Sequence, residues 1–477
     1  MKVSGWALIV GVLCVAGFHS RTAAGQSLDD ALAAAYANNP ELRAQRAALR
    51  ATDEQVPQAL SGWRPDITGT ASVGRRETNP DTAVSVDGND VVVTTRGGRA
   101  QNLNPRTAAI ELRQPLFRGG QTVAATRAAE NEVLARRAQL FSVEQDVLRD
   151  AGAAFAEVYR DQAILDLRIR NEQRLTRQLE ATRDRFDVGE VTRTDVFQAE
   201  ARVARATADR VEAEGDLEAS RARYREAVGE APGLLGQPDP LGDLPIDGEQ
   251  AVTLASDQNP AVTFAEYRER AALDQIDQRR GQLLPEVDFT ARAETGKEQA
   301  IQDGTQHAWS ALVNLRVPFY QQGQVYSQLR QQKQVAAQRR REIDSTRRQS
   351  VREAKDAWAR LEAARAAVRS RKKEVKANEV ALDGVEQEAQ VGARTVLDIL
   401  DAEQELVNAQ VELVTAQSEE VISAFELKRA VGELSATRLQ LAVDIYNPEK
   451  HYNQVRDKWF GTSSDGDVNE EDFGKPD

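Results

Sequence analysis

Two acidic residues near the start of a helical pattern have the types and the spacing that could do chemistry. Asp398 and Asp401 are three positions apart, so a helix places both carboxylates on one face. Carboxylates gathered in a narrow passage attract cations and repel anions. A simpler role is open for Asp398, because it stands three positions after Thr395 and the two residues can form a capping box at a helix N-terminus. The spacing therefore places two negative charges on one helix face, and Asp398 can in addition cap that helix.

A helical hairpin is the element that must hold these carboxylates. A helical pattern runs from Gln324 to about residue 390, and Gly392 follows it. Glycine ends helices because it takes the left-handed conformation at little cost. Thr395 can cap a second helix, whose pattern then returns along the first. The sequence therefore predicts two helices joined by a tight turn, with Asp398 and Asp401 at its tip.

The tip sequence occurs twice in the chain. Valine, glycine, threonine and aspartate stand at residues 188, 189, 192 and 195, and the same four types recur 203 positions later. A second long helical pattern, residues 121–187, precedes the first copy of the tip. We therefore expect an internal duplication, with structural repeats over residues 26–240 and 241–441 and hairpin tips near 188–195 and 391–398.

Four segments carry the alternation of a β-strand, in which every second side chain points to the same face. They are residues 66–75, 106–114, 286–295 and 308–317. One face of each is apolar or small, and the other carries hydroxyl or charged side chains. The intervening segment 75–105 is rich in Asp, Asn, Gly and Thr and is typical of an exposed loop.

Composition excludes several classes of function. The net charge of −13 argues against a nucleic-acid partner. The single cysteine, Cys14, lies in residues 1–25, which have the pattern of a secretory signal peptide. Only His307 and His451 follow that segment, so we expect no histidine metal site and no cofactor. Because no nucleophile–histidine–acid set and no phosphate-binding glycine loop is present, the sequence does not indicate an enzyme.

The two faces of the strands favour a membrane location. An outer-membrane β-barrel needs strands with an apolar outer face and a polar inner face, whereas a soluble sheet packed on helices is the alternative. Four strands cannot close a barrel, so the membrane interpretation requires an oligomer. The polar side chains would then line a water-filled channel: Glu111, Arg113, Asp288, Arg292, Glu294, Asn314 and Arg316. A periplasmic coiled-coil adaptor or scaffold without a pore remains a second hypothesis.

The duplicated plan and the segment Val391–Ala402 resemble the TolC family of outer-membrane efflux proteins. The resemblance extends over about residues 27–441. It implies a homotrimer in the outer membrane, with a trimeric α-barrel of coiled-coil hairpins in the periplasm and a twelve-stranded β-barrel built from four strands per protomer. It also implies an exit duct for efflux or type I secretion that works with a periplasmic adaptor and an inner-membrane RND or ABC transporter. Residues 442–477 would form an equatorial segment and an acidic disordered tail.

The resemblance also implies roles for single residues. Asp398 and Asp401 match aspartates at the periplasmic constriction, and Arg394 with Thr194 and Asp195 matches the latch that holds it closed. The family's tyrosine in this latch is replaced by Ala389. Four further residues at the tips would contact the adaptor: Val188, Gly189, Val391 and Gly392.

Overall fold

The computed structural model describes residues 26–78, 83–87, 91–95, 101–238, 240–299 and 303–463. The expected signal peptide, residues 1–25, and most of the expected acidic tail, residues 464–477, lie outside these ranges. Parts of the expected loop over residues 75–105 also lie outside them.

Two very long helices are each followed by a shorter one that returns. In chain order the helices of the described residues are α1 (Leu28–Asn38), α2 (Pro40–Asp53), α3 (Gln55–Leu60), α4 (Gln121–Asp187), α5 (Arg193–Val228), α6 (Gly248–Gln258), α7 (Pro260–Gly281), α8 (Gln324–Gln390), α9 (Val396–Ala430) and α10 (Pro448–Val455). The long helices are α4 and α8, with 67 residues each, and the return helices are α5 and α9, with 36 and 35 residues. Within the described ranges, no helix has a stretch long and apolar enough to cross a membrane.

Helices α2 and α3 replace a single helix that the sequence pattern predicts over residues 40–60. The break falls at Glu54. Pro57 explains it, because its ring removes one N–H donor and clashes with the carbonyl four residues earlier. The prediction of one continuous helix here was wrong.

The strands of the described residues are β1 (Asp66–Val73), β2 (Arg76–Thr78), β3 (Ala83–Asp87), β4 (Val91–Thr95), β5 (Gln101–Leu103), β6 (Arg106–Arg118), β7 (Glu286–Lys297) and β8 (Thr305–Arg316). The four long strands form one antiparallel sheet in the order β1-β6-β7-β8. In this sheet β1 and β8 each have one neighbour, so both present an edge of backbone N–H and C=O groups.

The expected loop between β1 and β6 contains paired strands. β2 pairs with β5, and β3 pairs with β4. β3 and β4 are rich in valine, and β-branched side chains favour extended backbone. The loop prediction is therefore corrected for these described residues.

The register of the four-stranded sheet separates its two faces. Leu112 lies opposite Ile67 on one side and Ala291 on the other, and the same face carries Phe289 and Val313. The opposite face carries the charged residues, with Glu111 opposite Arg292. Much of the apolar face is exposed in the single chain; its exposed large side chains include Ile67, Ile110, Trp309, Val313 and Leu315.

The described chain divides into two compact units, each drawn from both halves of the sequence. One contains residues 26–35, 151–241 and 367–422, and the other contains residues 36–150, 242–366 and 423–463. In the first unit, Leu175, Ala206 and Leu400 form a buried cluster that joins α4, α5 and α9. The second unit contains the sheet together with α2 and α10, with Leu42 and Leu49 of α2 fully buried.

Candidate gate at the helical hairpin tips

The two hairpin tips have the same turn geometry. Gly189 has φ of 83° and Gly392 has φ of 80°, conformations that favour glycine. The next residue in each tip reaches back to the helix end: Glu190 N donates to Arg185 O, and Ala393 N donates to Glu388 O, both at 2.9 Å. These are Schellman motifs, which satisfy the last carbonyl groups of α4 and α8.

A capping box begins each return helix. Thr395 N and its Oγ1 each donate to Oδ2 of Asp398 at 2.8 Å, and Asp398 N donates to Thr395 Oγ1 at 3.3 Å. Thr192 and Asp195 repeat these bonds at the start of α5. The bonds from Thr395 hold the pKa of Asp398 below its usual range, with a smaller contribution from Arg394. Asp398 therefore caps its helix and carries a negative charge at neutral pH.

Arg394 contacts acidic side chains of its own hairpin. Its Nε donates to Oε2 of Glu388 at 2.8 Å, and its Nη1 lies 4.0 Å from Oδ1 of Asp398. Asp195 instead binds Thr192. Within the described part of one chain, the structure thus does not bring Arg394 into an ion pair with Asp195. Thr194 is exposed on the first turn of α5.

Asp401 has an ion-pair partner that its position in the sequence does not reveal. Arg202 Nη2 donates to Oδ1 of Asp401 at 2.5 Å, which joins the return helices α5 and α9. The duplication contains a sequence signal for this ion pair. The residue of the first copy that corresponds to Asp401 is the uncharged Gln198, and Arg202 lies one helical turn after Gln198. The carboxylates of Asp398 and Asp401 thus stand on one helix with different partners.

A second carboxylate pair distinguishes the two hairpins. In the first, Arg183 donates to Glu200 at 2.7 Å. The residues 203 positions later are Glu386 and Glu403. Glu403 is only 5% exposed, and burial raises its pKa; Arg174 lowers the pKa and Glu386 raises it further. The second hairpin therefore has like charges where the first has an ion pair.

The turns expose apolar side chains beside the glycines. Val188 is 72% exposed and Val391 is 81% exposed. Burial of either valine side chain by a partner protein would contribute favourable free energy to binding.

The charged face of the sheet carries two hydrogen-bonded clusters. Arg292 Nη1 donates to Glu111 at 3.0 Å and its Nη2 donates to Glu294 at 2.9 Å. Arg113 lies 3.4 Å from Asp288, which also accepts a bond from Asn314 at 3.1 Å. In the described ranges, no group of three or more His, Cys, Asp or Glu side chains could hold a metal ion.

Comparison with known proteins identifies the family. The chain matches the family described as outer membrane efflux protein over residues 31–230 and 251–433. The chain belongs to the outer membrane efflux protein family. It is similar to the outer membrane efflux protein BepC of Brucella suis, with 37% identity over 442 residues that cover 92% of this chain and 93% of BepC. It is also similar to TolC of Escherichia coli, with 26% identity over 447 residues that cover 90% and 86% of the two chains.

Solved channel structures share the fold. The CmeC outer membrane channel of Campylobacter jejuni superposes with a TM-score of 0.74 at 15% identity, covering 91% of this chain and 90% of CmeC. These findings confirm the resemblance to the TolC family and favour an export channel of the outer membrane over a periplasmic adaptor without a pore. Outer membrane efflux proteins are channels and not enzymes, and this member is located in the outer membrane.

Proposed function

We propose that the protein is the outer-membrane exit duct of a tripartite efflux or type I secretion system, and that it acts as a homotrimer. The observation that carries the proposal is the four-stranded sheet with one apolar and one charged face. Its edge strands β1 and β8 each have one neighbour, and such edges in a bilayer must be paired. Three copies joined through these edges would close a twelve-stranded barrel in the outer membrane, within the size range of such barrels.

In this trimer the charged face of the sheet lines the lumen. Arg292 and Glu111 on neighbouring strands pair at 3.0 Å, which balances positive and negative charge inside the barrel. Apolar side chains such as Ile110 and Val313 lie on the other face and would contact lipid. This arrangement supports a water-filled passage that selects little by charge at the membrane.

The gate is proposed at the tips of the second hairpins. Threefold symmetry would gather Asp398 and Asp401 into rings of carboxylates around a periplasmic constriction. The low pKa of Asp398 keeps its charge at neutral pH, which would attract cations and repel anions. Repulsion between symmetry-related carboxylates would oppose this low pKa.

A latch between neighbouring copies is proposed to keep the gate shut. Arg394 would contact Thr194 and Asp195 of an adjacent hairpin, exchanging its intrachain partner Glu388 for that contact. Ala389 provides only a backbone carbonyl, which accepts the N–H of Gly392 at 3.0 Å. Arg394 therefore carries the latch without the family's tyrosine.

Opening is proposed to require a periplasmic adaptor with an inner-membrane RND or ABC transporter. The exposed Val188 and Val391, held out by the turns at Gly189 and Gly392, would provide the apolar contact. AprF of Pseudomonas aeruginosa, which is 23% identical over 326 residues, is named an alkaline protease secretion protein. That relative supports protein secretion as one of the two proposed uses.

Native mass spectrometry of the purified protein, followed by conductance in a planar bilayer, tests this proposal. We expect a trimeric mass and a small, stable conductance. Arg394→Ser should raise the resting conductance, because it releases the latch without changing the acidic residues. A monomer that forms no pore would contradict the duct, and an unchanged conductance of Arg394→Ser would contradict the latch.

A further inference from the structure

Two exposed aromatic residues, Trp459 and Phe460, follow helix α10, whose position is fixed by packing. Helix α10 docks on α2 through His451, whose Nδ1 lies 3.0 Å from Oδ2 of Asp53, and both side chains are buried. Val455 at the end of α10 is also buried. The aromatic pair is therefore held by a packed helix, although Trp459 is 58% exposed and Phe460 is 86% exposed.

Arg64 holds the pair beside the first strand of the sheet. Its Nη1 donates to the carbonyl oxygen of Lys458 at 2.8 Å, and its Cζ lies 5.0 Å from the centroid of the Trp459 ring. A cation over an indole ring is attracted electrostatically by the π-electrons of the ring. Since β1 begins at Asp66, Trp459 and Phe460 lie at the end of the sheet where β1 starts.

Other large apolar side chains are exposed at this same end. The antiparallel register brings together the start of β1, the end of β6, the start of β7 and the end of β8. Each of these strand ends is flanked by exposed apolar residues. We define them as the strand-end belt: Trp63, Phe117, Leu284, Phe319 and Tyr320.

We propose that Trp459 and Phe460 extend the strand-end belt into a membrane-interface anchor that binds the headgroup boundary of a phospholipid bilayer. Trp and Tyr concentrate at this boundary because their rings are apolar and their polar atoms remain hydrated. Phe117 of the belt lies opposite Val287, on the face of the sheet that carries Phe289. Arg64 and Lys458 place positive charge next to the aromatic pair for lipid phosphates. The inference rests on the proposed membrane-spanning sheet.

The tryptophans of this chain allow the anchor and the membrane sheet to be tested separately. Trp459 reports on the anchor and Trp309 on the apolar face of the sheet, where it is exposed on β8. Trp358 is a matched control, because it lies roughly 50 Å along α8 from the start of that helix at 1.5 Å per residue. Three variants of the full chain each keep one of these tryptophans and replace the other two, together with Trp6 and Trp63, by phenylalanine.

The measurement is fluorescence quenching in liposomes of phospholipid brominated either near the headgroup or at the end of the acyl chains. We expect Trp459 to be quenched more by bromine near the headgroup, Trp309 to be quenched, and Trp358 to be unaffected. The difference in quenching between the wild-type protein and Trp459→Phe gives the same answer with a single substitution.

Two outcomes would overturn the anchor. If Trp309 is quenched and Trp459 is not, the sheet is in the membrane while the aromatic pair is covered by another surface, such as a second copy of the chain. If Trp358 is quenched as strongly as Trp459, lipid contact is not localised at the strand ends. Absence of quenching at Trp309 would instead contradict the proposed function.

Discussion

The ion pair between Arg202 and Asp401 links the two return helices and lies next to the proposed constriction. The ion pair gives Asp401 a structural role, because the Asp401 carboxylate lies 2.5 Å from Arg202 Nη2. Asp401 also lies one helical turn from Asp398, which fits its proposed role in ion passage. Such cross-helix pairs depend on how helices are rotated against each other. The sequence predicts the carboxylates from their spacing but not this partner.

Arg202→Ala should therefore loosen the gate. A solvent-accessible ion pair contributes about 0.2–1 kcal/mol, and three copies would act together in the proposed trimer. We expect the open probability in planar bilayers to rise several-fold. Arg183→Ala is the matched control, because it removes the pair with Glu200 inside the first hairpin. An equal response of both variants would contradict a specific link between α5 and α9.

Glu403 makes the second hairpin sensitive to pH. Burial raises its pKa, so its contribution to stability is present below the pKa of the unfolded chain and is lost as the pH rises through the folded pKa. Glu386→Arg copies the ion pair of the first hairpin and, because residue 386 is exposed, should stabilise the protein at neutral pH by about 0.2–1 kcal/mol.

This stabilisation should fade as the pH falls towards 4.5, the ordinary pKa of glutamate, since protonated Glu403 gains little from a nearby cation. Thermal unfolding of the purified protein as a function of pH measures it. The reciprocal change Arg183→Glu should destabilise the first hairpin at neutral pH. A Glu386→Arg variant that is less stable than the wild type at neutral pH would contradict the account.

Among the elements, the hairpins were the most predictable from sequence. Helical periodicity predicts ends near residues 187 and 390, where α4 and α8 end, because glycine and threonine mark the turn locally. The break at Glu54 was missed since the apolar pattern continues through it and only Pro57 interrupts the backbone bonds. The short strands β2–β5 were missed because Asp, Asn and Gly in the same segment are typical of turns.

The turn at Gly392 provides a test of the hairpin as an element. Gly392→Ala forces a side chain into the left-handed conformation, at a cost of roughly 1–2 kcal/mol. Gly384→Ala is the control eight residues earlier in α8, where nothing within 4 Å would meet the new Cβ; it should stabilise the helix by about 0.5–1 kcal/mol.

Hydrogen exchange of the tip amides should therefore become faster in Gly392→Ala and no faster in Gly384→Ala. Slower exchange at the tip in Gly392→Ala would show that the turn does not need glycine.

For the whole molecule, the sheet and the hairpins imply the proposed assembly for different reasons. The sheet leaves an apolar face and two strand edges uncovered in the single chain, which supports the proposed contact with a bilayer and with further copies. The hairpins carry a carboxylate pair only in the second copy of the duplication, so a trimer would place three equivalent pairs around its axis. Sequence alone predicts the faces and the duplication, whereas the intrachain partners of Arg394 and Asp401 required the packed helices.

The most direct test of the central claim is ion selectivity in a planar bilayer with and without divalent cations. Wild type is compared with Asp398→Asn/Asp401→Asn, which removes the charges and preserves side-chain shape, and with Glu190→Gln, which removes an exposed charge at the first tip. We expect a cation-selective conductance, blocked by divalent cations, that loses both properties in the double variant and keeps them in Glu190→Gln. A double variant with unchanged selectivity and block would contradict an acidic gate at the second hairpin tips.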